Sequence, residues 1–184
     1  MEFIKISDVM QNTIITLLIA SGIVGSLIKL TDDISDKNMR LNRLFALPLG
    51  IIYGSLMGYL MISDLDAALI FGGIILGCLV SGKINSTGHY FGLAAVLAII
   101  FLNGIKLSPL VFIIAAFAVF DEMKDIIHIS GLDFMFKYRL FLKIGALLLV
   151  VLGLVGFDGL LLLFVFDSAY LLMERFDSRL VHEI

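Results

Sequence analysis

The chain has 184 residues, 60% of them hydrophobic, and carries 13 Lys and Arg against 16 Asp and Glu, a net charge of -3; its mean hydropathy is +1.09. Soluble globular domains are only about half apolar and about a quarter charged, so this composition excludes an ordinary water-soluble domain. A single cysteine, Cys78, excludes a disulfide framework or a cysteine metal centre within one chain, and no basic stripe with interleaved aromatics offers a nucleic-acid surface.

Apolar segments recur along almost the whole length. At about 20 residues per crossing, seven spans are predicted: Asn12–Lys29, Arg43–Ile62, Ala67–Gly82, Tyr90–Gly104, Leu107–Asp121, Leu140–Val155 and Leu160–Met173. Helix is the expected state, because a backbone in lipid must satisfy its own hydrogen bonds and the alternation of a barrel is missing. The expected fold class is therefore all-α, a polytopic transmembrane helical bundle forming one integral membrane domain over residues 1–184. The segment before the first span is mixed in charge and lacks a basic leader pattern, so the first span reads as a retained anchor.

Cations fix the expected orientation. With the N-terminus on one side and seven crossings, that side carries Lys5 and Lys106, while the other carries Lys29, Lys37, Arg40, Arg43, Lys83, Lys124, Lys137, Arg139, Lys143, Arg175 and Arg179. The richer side is cytoplasmic by the positive-inside rule, which places the N-terminus outside and the C-terminus inside. The cell membrane is the default location. The sequon Asn85-Ser86-Thr87 falls on the cytoplasmic side and is discounted.

Small residues punctuate the spans. Gly50, Gly54 and Gly58 stand four apart, and Gly73 and Gly77 repeat the interval. Such spacing lets helix backbones approach closely, within one chain or across the seam of a homodimer or larger membrane assembly. Pro48 and Pro109 lie near span starts, where proline is tolerated. Gly156-Phe157-Asp158-Gly159 reads as a tight turn between the last two spans. The longest connections, Thr31–Asn42 and Glu122–Arg139, are both cytoplasmic.

Each of those two connections opens on acids. Asp32, Asp33 and Asp36 form a DDxxD pattern, and Asp121 and Asp125 form DxxxD, with His128 beyond. On a helix, spacings of three and four put these carboxylates on one face. Acids at a helix C-terminus oppose the macrodipole, and like charges at this spacing repel, so compensation is required. Either neighbouring Lys37, Arg40, Arg43 and Lys124 supply it, or a bound divalent cation does. Hard oxygen ligands suit Mg²⁺, which commonly joins carboxylates to substrate phosphates.

The two motifs resemble the aspartate-rich pair of the UbiA-type membrane prenyltransferases. The resemblance implies that Asp32, Asp33, Asp36, Asp121 and Asp125 hold Mg²⁺ against a prenyl diphosphate, with Asp32, Asp36 and Asp125 catalytic. It further implies that Arg40, Arg43 and Lys124 touch the diphosphate. Arg40 stands where the family has its last first-motif acid, and the family's chains are longer, with about nine helices. A partial similarity also links Phe120–Val150 to the polyprenyl-phosphate sugar-1-phosphate transferases.

Asp167 lies mid-span, where a charge costs about 2.5–3.5 kcal/mol on insertion scales, so it should face the bundle interior. It is a candidate substrate-binding residue, with Tyr170 a local hydrogen-bond partner. Glu174 and Asp177 continue an acidic stripe toward the cytoplasm. Lys83, Asn85 and His89 read as solvated loop residues, and His89 and His128 lack the paired spacing of a zinc site. The expected function is a Mg²⁺-dependent membrane transferase acting on a polyprenyl or lipid (di)phosphate at the cytoplasmic face. The alternatives are a cation or proton transporter built on Asp167, and a non-catalytic membrane subunit.

Overall fold

The computed structural model describes residues 2–35, 42–123 and 133–182, and the side chains of 13–35, 42–123 and 134–176. Among these, all regular structure is helical: α1 (Glu2–Ser35), a 3-10 turn (Arg43–Phe45), α2 (Ala46–Ser63), α3 (Leu65–Val80), α4 (Thr87–Asn103), α5 (Val111–Glu122), the short α6 (Asp133–Lys137), α7 (Leu140–Val151) and α8 (Phe157–His182). Each of the seven apolar segments falls on one of the longer helices. Two stretches, Thr13–Ser35 and Arg43–Ser63, are long and apolar enough to cross a membrane.

Helix boundaries differ from the expected ones for local reasons. The first acidic motif does not open a loop, because α1 runs on through Asp32 and Asp33 to Ser35. The turn before the last helix lies at Leu152–Gly156 rather than at Gly156–Gly159. Gly153 has φ +70° there, and the amides of Gly153 and Leu154 donate back to Val150 and Leu149, closing α7 in a left-handed glycine cap. Gly82, at φ +68°, closes α3 in the same manner, with Lys83 N–H donating to the Cys78 carbonyl. Lys83 is thereby turned back over the end of the bundle.

Helix starts are capped by side chains. Asp64 accepts from the Ala67 amide at 2.7 Å, and Ser86 accepts from the His89 amide at 3.4 Å. Asp66 reaches across to the Gly156 amide at 2.8 Å, fixing the approach to α8.

The core lies where α1, α2, α3 and α8 meet, around Val24, Leu60, Ile70, Phe71, Leu162, Leu163 and Phe166. Phe71 and Phe166 pack edge to face with ring centroids 5.6 Å apart. Two helix pairs are especially close, α2 with α4 and α1 with α8. Gly25 of α1 faces the Phe166 carbonyl without room for a Cβ, and Ser21 donates to the Leu162 carbonyl at 2.7 Å. The outward surface is strongly apolar: Phe101, Leu102, Phe112, Val80 and Val151 are all more than two-thirds exposed.

A polar-mouthed cavity as the candidate functional site

One end of the bundle holds a cavity of about 340 Å³. The C-terminal part of α1, the α3–α4 connection, the start of α4, the end of α5, the residue before α7 and the middle of α8 all converge on it. Its apolar wall is made by Met57, Ile74, Ile75, Leu93, Val96 and Phe166, and Lys29, Asp32, Lys83, His89, Glu122 and Arg139 supply charged or titratable groups.

A continuous hydrogen-bonded chain crosses the cavity. Tyr53 Oη and His89 Nδ1 are 2.9 Å apart, and His89 Nε2 lies 2.6 Å from Asp32 Oδ1. Tyr170 Oη donates to Asp32 Oδ2 at 3.0 Å. The chain links α2, α4, α1 and α8, so each packed helix positions one member. The approach of α2 to α4 depends on glycine: a Cβ on Gly92 would run into the Tyr53 phenol.

Cations surround this chain. Lys29 pairs with Asp33 at 2.8 Å, one helical turn on, and lies 5.7 Å from the Tyr170 ring centroid. The Arg139 guanidinium lies over the same ring at 4.5 Å and bonds Glu122 at 3.2 Å. Lys83 approaches the other Glu122 oxygen at 3.4 Å. Burial works against the charge on Arg139, but the surrounding acids, Glu122 among them, outweigh it and raise its pKa above the ordinary arginine value.

The acids expected as metal ligands have separate fates. Asp32 faces the cavity and is held by His89 and Tyr170. Asp33 is buried, with one oxygen on Lys29 and Oδ2 without a hydrogen-bond partner among the described residues. Asp121 accepts from the Phe141 amide at 3.1 Å and the Leu142 amide at 2.7 Å, capping α7. The cost of an acid at the end of α5 is thus offset by the positive end of another helix. Asp36 and Asp125 lie outside the described residues, as do Arg40 and Lys124. Among the described residues no three metal-ligating side chains gather, so Asp32, Asp33 and Asp121 do not by themselves fit a shared Mg²⁺.

Arg43 is exposed in the 3-10 turn before α2. Asp167 is buried and pairs with Lys143 of α7 rather than with Tyr170, whose hydroxyl is taken by Asp32. Both acidic motifs nevertheless reach the one cavity, the first through Asp32 and the second through Glu122 instead of Asp121.

Tyr53, His89, Tyr170, Lys29, Lys83 and Arg139 were not singled out as site residues by the sequence. His89 and Lys83 looked like loop polarity, and only the glycine cap at Gly82 and the Ser86 cap turn them inward. Comparison of the chain with family models, curated proteins and solved structures finds no match.

Proposed function

We propose that this chain is an integral protein of the cell membrane with about seven spans, N-terminus outside and C-terminus inside. On this reading the cavity opens at the cytoplasmic boundary and receives an amphiphile with a phosphate head, as in a transferase for polyprenyl or lipid phosphates. The observation that carries the reading is the pairing of an apolar wall with Lys29, Lys83 and Arg139 in the lining of one cavity. Guanidinium and ammonium groups recognise phosphate oxygens, and the apolar wall would take the first part of a hydrocarbon chain. A volume of about 340 Å³ suits a head group and a short length of chain, not a whole lipid. His89, held between Asp32 and Tyr53, is the acid–base group best placed beside the head. The exposed apolar side chains would face lipid; in water they would make an aggregation-prone surface.

Orientation and ligand are tested separately. In a Cys78→Ala background, Lys106→Cys should react with an impermeant thiol reagent on intact cells, and Arg43→Cys only after permeabilisation; the reverse pattern would overturn the topology. For the ligand, lipids retained by the protein purified in detergent should include a phosphate-headed species on mass spectrometry. Arg139→Gln should lower its occupancy about tenfold, as expected for loss of one charge-assisted contact of about 1.4 kcal/mol. Equal occupancy in both proteins, or neutral lipids alone, would count against the reading.

A further inference from the structure

Glu122 sits where a ligand's anionic head would sit. Its Oε1 bonds Arg139 Nη2 at 3.2 Å and its Oε2 lies 3.4 Å from Lys83 Nζ, so one carboxylate spans two cations with an oxygen on each. All three side chains line the cavity. Glu122 is 10% exposed, while Arg139 and Lys83 are 25% and 35% exposed.

Arg139 is held unusually firmly. It is the one non-glycine with positive φ among the described residues, at φ 47° and ψ 49°. Its guanidinium is stacked on Tyr170, whose hydroxyl is anchored by Asp32. A left-handed backbone at such a residue is costly and persists only where the surroundings fix it. The result is a guanidinium aimed at one spot, with Lys83 beside it and a carboxylate on both.

We propose that Glu122 is an internal occupant of the head-group subsite formed by Lys83 and Arg139, and that it selects for phosphomonoester or diphosphate heads over monoanionic heads. The inference rests on the reading of the cavity as a lipid-phosphate site. A ligand anion and the Glu122 carboxylate cannot both sit on the same two cations without strong repulsion at short range. A head with two negative charges gains more from the cations than the single carboxylate it displaces. A carboxylate or phosphodiester head, with one charge, only matches it.

The test uses the full chain purified in uncharged detergent at pH 8, above the second phosphate ionisation at about 6. Two probes share one alkyl chain: dodecyl phosphate, a dianion, and methyl dodecyl phosphate, a monoanion. Binding is followed by calorimetry. The wild-type protein should prefer the dianion about tenfold, and Glu122→Gln should strengthen monoanion binding about tenfold and narrow the preference. Lys83→Met, at a part-exposed loop position and with Arg139 still on Glu122, should weaken dodecyl phosphate binding about tenfold. Binding to Glu122→Gln but not to wild type would also support the inference. Wild-type binding that Glu122→Gln leaves unchanged or weakens would overturn it while the lipid-phosphate reading stands. Failure of both proteins to bind either probe would remove both.

Discussion

Lys143→Ala should destabilise the folded protein by about 3–5 kcal/mol, the usual cost of stranding one member of a buried ion pair. Lys143 donates to the Asp167 carboxylate and to the Tyr138 carbonyl. The Asp167 side chain is only 3% exposed. Removing the ammonium leaves a carboxylate in an apolar surround, which either keeps its charge unpaired or takes up a proton at a cost. The pair itself adds little net stability, because both groups were desolvated to form it. The double variant Lys143→Met/Asp167→Leu should therefore recover most of the loss, each residue being replaced by an apolar one of similar bulk. Unfolding in mixed micelles of rising dodecyl sulfate fraction reads both numbers. A single variant as stable as wild type, or a double variant no better than the single, would show that the pair does not hold α7 to α8.

How far the sequence spoke for the structure depends on the range of each interaction. The apolar runs are local, and each of the seven falls on a helix. The glycine intervals are local too, and they mark real close approaches: Gly50 and Gly54 meet Gly88 and Gly92, and Gly73 and Gly77 meet Ile114, Ala115 and Ala118. The acidic motifs were visible as patterns, but their partners were not. Asp121 looked like a ligand because an acid at a helix end needs compensation. What supplies it is the start of α7, twenty residues on, which no spacing within the motif could reveal. Asp167 looked as if it would bond Tyr170 at i+3. Both side chains instead reach other helices, one to Lys143 and the other to Asp32. The Tyr53–His89–Asp32 chain joins residues 36 and 57 positions apart, and nothing in periodicity or composition foretells such a meeting.

The largest effect of a single methyl group is expected at Gly54. A Cβ there would overlap the Gly92 carbonyl oxygen and lie 2.8 Å from both the carbonyl carbon and the Cα of Gly92. Those are backbone atoms of α4, which cannot turn aside as a side chain can, so α2 and α4 must separate. Overpacking of this kind costs about 1–3 kcal/mol, and the rigid obstacle puts Gly54→Ala at about 3 kcal/mol. Gly58→Ala provides the internal comparison. Its Cβ would lie 2.9 Å from the Ile99 Cβ, a much milder overlap than that with the Gly92 carbonyl oxygen at Gly54, so a small local shift relieves it, for about 1 kcal/mol. The consequence at the cavity follows from the same geometry. His89 rides on α4 while Tyr53 rides on α2 and Asp32 on α1, and their contacts of 2.9 and 2.6 Å leave little tolerance. A shift of about 1 Å takes a hydrogen bond of this length out of its useful range. Gly54→Ala should therefore lose the proposed binding of a phosphate-headed lipid as well as stability, whereas Gly58→Ala should keep it. Equal unfolding midpoints for the two variants, or full binding in Gly54→Ala, would show that the α2–α4 contact is looser than the glycine pairing requires.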